Sequence, residues 1–215
     1  VLATLRYQDT SENPDASEDR IIEIRCSDAE GDLSLVNSPS AVVTISIVPI
    51  NDRPRVSVDL PPVVNSFTEG QLPTPVFDGD VEISDPEGDL ISECLVTQSP
   101  APDGPAEVLT IEMAAGGPVS VVIDRQTVRL QGDATAAEYE TLLSHILYEN
   151  KELNPTPGLR TMTIVCEAVQ GASSSPVNVP IEVVPVNSPP TLDMLDPVLP
   201  PPIWTEGDGG VPIAT

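Results

Sequence analysis

The side chains in this sequence that are spaced to do chemistry are oxygen-bearing. Asp85, Glu87 and Asp89 alternate within one turn, SDPEGD, while Asn51 and Asp52 stand side by side in PINDRP and Glu69 lies in FTEG. Ca2+ is a hard cation that takes about 6–8 oxygen ligands, mostly carboxylates and carbonyls. These residues are candidates to supply such a set. The alternative is an ordinary solvated Asp-Pro-Glu-Gly-Asp turn without metal. Another acidic turn, SDAEGD from Ser27 to Asp32, has no acidic counterpart after Cys166, where the chain reads EAVQGASSS. That turn reads as a local solvated loop.

Other chemistries find little support. His145 is the one histidine, so paired histidine ligands for a metal are excluded. There is no Gly-x-Ser-x-Gly, phosphate-cradling loop or Cys-x-x-Cys in the sequence. An acid/base carboxylate pair of glycosidase type has nothing to set it apart from the acidic background. The expectation is a protein that is not an enzyme and takes no small-molecule substrate.

That acidic background is strong. The formal net charge is −25, and between Arg55 and Arg125 there are 13 Asp and Glu but no Lys or Arg. Nucleic acid needs a basic partner surface, and so does an anionic membrane. Neither is therefore expected as a partner. The 25 prolines and the 3% aromatic content point to a core of Val, Ile, Leu and Ala, with many short strands joined by Pro-rich connections. No apolar run reaches the ~20 residues that span a bilayer, and no signal peptide is visible at Val1. Asn13 and Asn154 each precede Pro, and Asn37-Ser38-Pro39 fails at its third position, so N-glycosylation is not expected.

The organisation comes from an internal repeat. LRYQDTSENPDASEDRIIEIRC (Leu5 to Cys26) is similar to ILYENKELNPTPGLRTMTIVC (Ile146 to Cys166). Tyr7 aligns with Tyr148, Asn13-Pro14 with Asn154-Pro155, Arg20 with Arg160 and Cys26 with Cys166. IVPINDRP then matches VVPVNSPP, and FTEG matches WTEG (Trp204 to Gly207). Four blocks in one order, at a spacing of 137–140 residues, read as domain-sized repeats in series. Residues 1–52 are then the C-terminal part of one repeat, residues 53–188 a complete repeat, and residues 189–215 the start of a third. The natural chain is expected to continue in both directions.

Repeat equivalence also orders the three cysteines. Cys94 and Cys166 fall within the complete repeat, so their pairing is the simplest disulfide, and Cys26 would pair with a cysteine before Val1. This removes the odd count and implies an oxidising compartment. Buried free thiols are the alternative.

Strand-like alternation occurs over Arg20 to Cys26, Ala41 to Val48, Val108 to Met113, Val119 to Ile123, Thr127 to Leu130, Arg160 to Cys166 and Val177 to Val184. Turn signals at Asp103-Gly104, Gly116-Gly117 and Pro157-Gly158 separate them. One segment differs. Asp133 to Ser144 reads as a short helix, with Thr135 and Glu138 at capping-box spacing and Tyr139, Leu142, Leu143 and Ile146 as its apolar stripe. His145 sits at its end as a half-buried helix residue.

These blocks together resemble tandem cadherin-like repeats of large surface proteins. PINDRP and PVNSPP are similar to the Asp-x-Asn-Asp-x-Pro linker of cadherins, with Pro49 and Pro185 in place of its first Asp. The TEG at Thr68 to Gly70 and at Thr205 to Gly207 is similar to the early Glu of such a repeat, and SDPEGDLIS resembles its acidic turn. The added helix and the YEN…NPTPG stretch make a repeat longer than the standard cadherin one, similar to those of very long adhesins and matrix proteins. The resemblance implies an all-β fold of tandem cadherin-like or Ig-like β-sandwiches, with one short helix inserted per repeat. It also implies that Asn51, Asp52, Glu69, Asp85, Glu87 and Asp89 meet at a junction and bind calcium there. The second junction, with Asn187-Ser188, loses a carboxylate and is expected to bind more weakly or not at all. The implied function is an extracellular or cell-surface adhesion or structural protein. Its partners would be other copies of itself or other surface or matrix proteins. A building block of an extracellular filament, such as a ciliary or flagellar hair, and a spacer of a surface receptor are the alternatives.

Overall fold

The computed structural model describes residues 5–25, 40–61, 63–77, 81–112, 117–187, 189–190, 203–207 and 209. Cys26 and the Ser27 to Asp32 turn lie outside the described residues, as does Ser188. The chain divides into two compact units, Val1–Pro185 and Val186–Thr215. The described residues of the second unit form no strand or helix, and Glu206 and Gly207 lie in a turn.

The first unit is all-β apart from one α-helix and a 3-10 turn at Gly104–Ala106. Strands β1 (Arg20–Ile24) and β2 (Ala41–Ile45) form an antiparallel hairpin, with Arg20 opposite Ile45 and Ile24 opposite Ala41. Next come β3 (Arg55–Val58), β4 (Asn65–Thr68), β5 (Thr74–Pro75), β6 (Val81–Ser84) and β7 (Ile91–Ser99). They are followed by β8 (Glu107–Ile111), β9 (Ser120–Asp124), β10 (Thr127–Ala134), α1 (Ala136–Leu143), β11 (Ile146–Asn150), β12 (Gly158–Ala168) and β13 (Val177–Val184).

Beyond the hairpin, three sheets share one core. The largest has the order β4-β13-β12-β7-β10-β9, and β5-β11-β8 and β3-β6 form the smaller two. Period-two alternation explains the large sheet. Met162, Ile164 and Cys166 of β12, Val179, Ile181 and Val183 of β13, and Val128 and Leu130 of β10 are all buried. They pack in one cluster with Ile83 of β6, Leu109 of β8, and Ile146 and Tyr148 of β11. Buried apolar side chains from sheets on both sides of a core define a sandwich-like arrangement. Tyr148 meets Phe67 edge-on, with ring centroids 5.4 Å apart. Cys94 and Cys166 stand directly opposite each other on β7 and β12, and a disulfide joins them there.

The helix begins and ends where its local chemistry dictates. Thr135 accepts from the Glu138 N–H while the Glu138 carboxylate accepts from the Thr135 N–H, closing a capping box. The helix is thus shorter than the Asp133 to Ser144 expectation. Tyr139, Leu142 and Leu143 face the core, and the Tyr139 hydroxyl donates to the Gly132 carbonyl at 2.8 Å. Gly132 lies where the β10–β7 register shifts, at φ +140°. A Cβ there would strike the Pro118 carbonyl oxygen.

Candidate metal centre

The turn after β6 folds on one carboxylate. Asp85 Oδ1 accepts from the N–H groups of Glu87 (3.0 Å) and Asp89 (3.2 Å), and its carbonyl accepts from Gly88 N–H at 3.1 Å. Gly88 has φ +76°, a conformation glycine adopts without Cβ strain. This self-bonding uses one oxygen of Asp85 and turns the others inward. Asp85 Oδ2, Glu87 Oε1 and Asp89 Oδ2 are buried and have no hydrogen-bond partner among the described residues. Ligand oxygens of these three side chains lie within 4.8 Å of one another.

Such a cluster is electrostatically unfavourable alone. Two like charges up to 4.8 Å apart repel by roughly 1–3 kcal/mol, depending on the effective dielectric. A hard divalent cation reverses that sign and satisfies the orphaned oxygens. The three carboxylates would supply part of the oxygen set that a hard divalent cation takes.

The preceding linker reaches the same turn. Asp52 N–H donates to Glu87 Oε2 at 3.2 Å, and Asp52 is half-buried. Asn51 is exposed, and its side chain donates to the Asp52 carbonyl at 2.9 Å. Asn13, from the loop before β1, donates to the Pro86 carbonyl at 3.1 Å. Glu12 beside it takes Arg55 Nη2 on both oxygens at 2.7 Å. The carboxylate of Asp52 does not join the group formed by Asp85, Glu87 and Asp89.

Glu69 requires a correction. The structure does not bring it to this turn. Its N–H donates to the Val184 carbonyl at 3.0 Å, just beyond β4, which runs parallel to β13. Along β12, Gly158 pairs with Val183 and Ala168 pairs with Ile91. Ten residues of strand, about 33 Å at ~3.3 Å per residue, therefore separate the Glu69 end from the end where the acidic turn leads into β7. The parallel pairing carries Glu69 to the Pro185 side of the sandwich. Asn187 is exposed in the second unit.

His145 follows the helix rather than lying in it, half-buried, with Nδ1 2.7 Å from the Thr141 carbonyl. An apolar cleft of about 140 Å3 is lined by Val58, Leu60, Pro61, Val64, Val76 and Val179. Its polar residues are Asp59 and Asn65, and the Asn65 amide is engaged by the Pro75 carbonyl at 2.7 Å. This is not the convergent polar lining of a small-molecule site.

Sequence reasoning missed a buried polar cluster. Glu107 is fully buried, and its Oε2 accepts from Arg160 Nε (2.9 Å), the Tyr148 hydroxyl (2.9 Å) and the Gln98 amide. Asp103 takes Arg160 Nη2 at 3.1 Å, the Asn150 amide at 2.7 Å and the Thr156 hydroxyl at 2.6 Å. Arg160 also donates to the backbone carbonyls of Thr156, in the loop, and Gly158, at the start of β12. Burial and the adjoining Glu107 carboxylate push the Tyr148 hydroxyl far above its ordinary range. The available signal was the alignment of Tyr7 with Tyr148 and of Arg20 with Arg160. The cluster ties loops to strands.

Comparison with protein-family models and with curated proteins gave no match. Among the described residues, no helix is long and apolar enough to cross a membrane.

Proposed function

We propose that this chain is part of an extracellular structural or adhesion protein, built of tandem cadherin-like sandwiches and acting as a stiff spacer. Other copies of itself or other surface and matrix proteins are its partners. The observation that carries this reading is the correspondence between two hairpins. Arg20 stands opposite Ile45 in β1–β2 as Arg160 stands opposite Ile181 in β12–β13. Arg20 donates to the carbonyl two residues back, Glu18, and to Asp15 five back. Arg160 donates to the carbonyl two residues back, Gly158, and to Thr156 four back. The loop before Arg20 is one residue longer, counted from Tyr7, than the loop before Arg160 counted from Tyr148. A shared register and a shared clamp at sites about 140 residues apart support domain-sized repetition. The disulfide fits an oxidising compartment, and the acidic surface fits a soluble, self-repelling array.

Calcium is the second part of the proposal. Asp85, Glu87 and Asp89 would hold it, with Asp52 from the linker beside them. A bound cation would supply positive charge where the linker meets the sandwich and so restrain their relative motion. In excess Ca2+, about a hundredfold over Kd, binding should stabilise by ~2.7 kcal/mol and raise Tm by roughly 5–10 °C. Chelation should reverse that rise and broaden the distance distribution in small-angle scattering. Asp85→Asn combined with Asp89→Asn should abolish both responses. An unchanged Tm and scattering profile on chelation would remove calcium from the account.

A further inference from the structure

The two edges of the six-stranded sheet differ in chemistry. At the β4 edge, side chains occupy the outward N–H groups. Asn65 Oδ1 accepts from Ser66 N–H at 3.0 Å, and Gln71 Oε1 accepts from Thr68 N–H at 3.3 Å. The opposite edge is β9, SVVID, and among the described residues no strand pairs with its outer side. A two-residue turn joins β9 to β10, with Asp124 opposite Thr127. Such a turn makes Asp124 and Thr127 a hydrogen-bonded pair, and alternation then leaves the N–H and C=O of Val121 and Ile123 on the outer side. No Lys or Pro blunts this strand, and Val122 and Ile123 are 53% and 42% exposed. The edge is also held in place at both ends. The Arg125 carbonyl accepts from Leu109 N–H at 2.7 Å, and the Gln126 carbonyl accepts from Gln98 N–H at 2.8 Å. The Gln126 amide donates to the Gly104 and Glu107 carbonyls. Ahead of β9, the Pro118 carbonyl lies so close to Gly132 that a Cβ there would strike it.

We infer that two copies of this chain associate through β9, edge to edge about a two-fold axis. The inference rests on the self-association named above and gives it a surface. Self-complementarity of the strand selects the occupant. An antiparallel two-fold centred on Val122 sets Val122 against Val122 of the second copy on the outer face, with Ser120 opposite Asp124 on either side. On the core-facing side Val121 meets Ile123. These are the two residues whose backbone groups face outward, so the ladder continues across the axis with about four new hydrogen bonds. Charge favours the same place. Chains of net charge −25 repel one another over most of their surface. Residues 117–132 instead hold Arg125 and Arg129 against one carboxylate, Asp124, for a net charge of +1. Glu93 engages Arg129, and Arg125 is exposed at the turn. Two copies can therefore approach along β9 without setting carboxylate against carboxylate.

The test is sedimentation of the 215-residue chain from micromolar to millimolar concentration, with amide exchange read in the same samples. The mass should rise from 22.7 kDa toward twice that value. The rise should be steeper at about 0.5 M salt than at about 0.05 M, because screening removes the mutual repulsion. A contact this small gives weak association. The Val121 and Ile123 amides should exchange roughly tenfold more slowly as concentration rises, while the Val122 amide, already inside the β9–β10 ladder, should not change. Val122→Lys sets two ammonium groups face to face. It should weaken association by about tenfold or more and leave Tm unchanged, since this side chain is exposed. A monomer at millimolar concentration overturns the inference, as does association of equal strength in Val122→Lys. Protection of Val121 and Ile123 that is independent of concentration overturns it in favour of a cover from the same chain, such as residues 113–116, which lie outside the described residues. A monomer that still responds to calcium would leave the spacer reading standing. A dimer indifferent to chelation would remove calcium and keep this surface.

Discussion

Glu107 and Arg160 are charged groups in a place where charge is costly. Removing a carboxylate and a guanidinium from water costs several kcal/mol each, and their attraction offsets that only with good geometry and further hydrogen bonds. Here Glu107 Oε1 also accepts from Asp103 N–H at 3.0 Å. Breaking one side leaves the other unpaired. Glu107→Ala or Arg160→Ala should therefore cost about 3–5 kcal/mol, read from denaturant unfolding at constant m. Arg160→Lys should also destabilise, because an ammonium cannot reproduce the fork. Asp103 adds a pH dependence. Burial pushes its carboxyl up, but hydrogen bonds from Thr156 and Asn150, with Arg160 nearby, outweigh this and hold it below the ordinary carboxylate range. A folded-state value below the unfolded one means the stabilisation is full above the unfolded value, about 3.9. It is lost as pH falls through the lower folded value. The wild type should lose stability over that acidic window, and Asp103→Asn should show a flatter curve there. The acidic turn was legible because its residues are neighbours in sequence. Glu107 and Arg160 are 53 residues apart and meet only because β11 pairs with β8 and β12 pairs with β7.

At the scale of elements, local signals were read well and directional ones were not. The capping box of α1 is a three-residue pattern and was visible as such. Thr135→Ala should cost about 1 kcal/mol, and Gly132→Ala more, since its Cβ would meet the Pro118 backbone. Thermal unfolding of both variants would rank them, and a smaller loss at Gly132 would contradict the packing described. Ile146, expected on the helix stripe, begins β11 instead. Strand β13 matches its expected bounds, and β1, β2, β8, β9, β10 and β12 were recognised with shifted ends. Strand β7 was not, because a register shift at Ile91 breaks the period-two pattern between Ile91 and Cys94. Most of its outward positions, Ser92, Glu93 and Thr97, are polar, although Leu95 is not, and Gln98 is polar on the buried face, so the pattern hides a central strand. Strands β3 to β6 are two to four residues long, too short for periodicity to register. Glu69 was misplaced for a related reason. Sequence can mark a strand, but whether it runs with or against its neighbour depends on pairing partners far away in the chain.

On the scale of the whole molecule, composition foretold an all-β protein with an aliphatic core, and the structure has one. Among the described residues, the prolines sit largely in connections, as their missing N–H requires. Pro75 in the two-residue β5 and Pro180 in β13 are exceptions, and Pro180 is the instructive one, opposite Thr161 within the large sheet. The parallel pairing of β4 with β13 has a mechanical meaning. Asn65, Ser66, Phe67 and Thr68 run beside Ile181, Glu182, Val183 and Val184 in the same direction. If a load is applied along the chain on either side of the sandwich, β4 is drawn backward and β13 forward. The bonds between them then bear the load side by side and must yield together, whereas an antiparallel hairpin pulled from its open end peels one rung at a time. A linker that transmits pulling force would meet its firmest resistance at these four rungs.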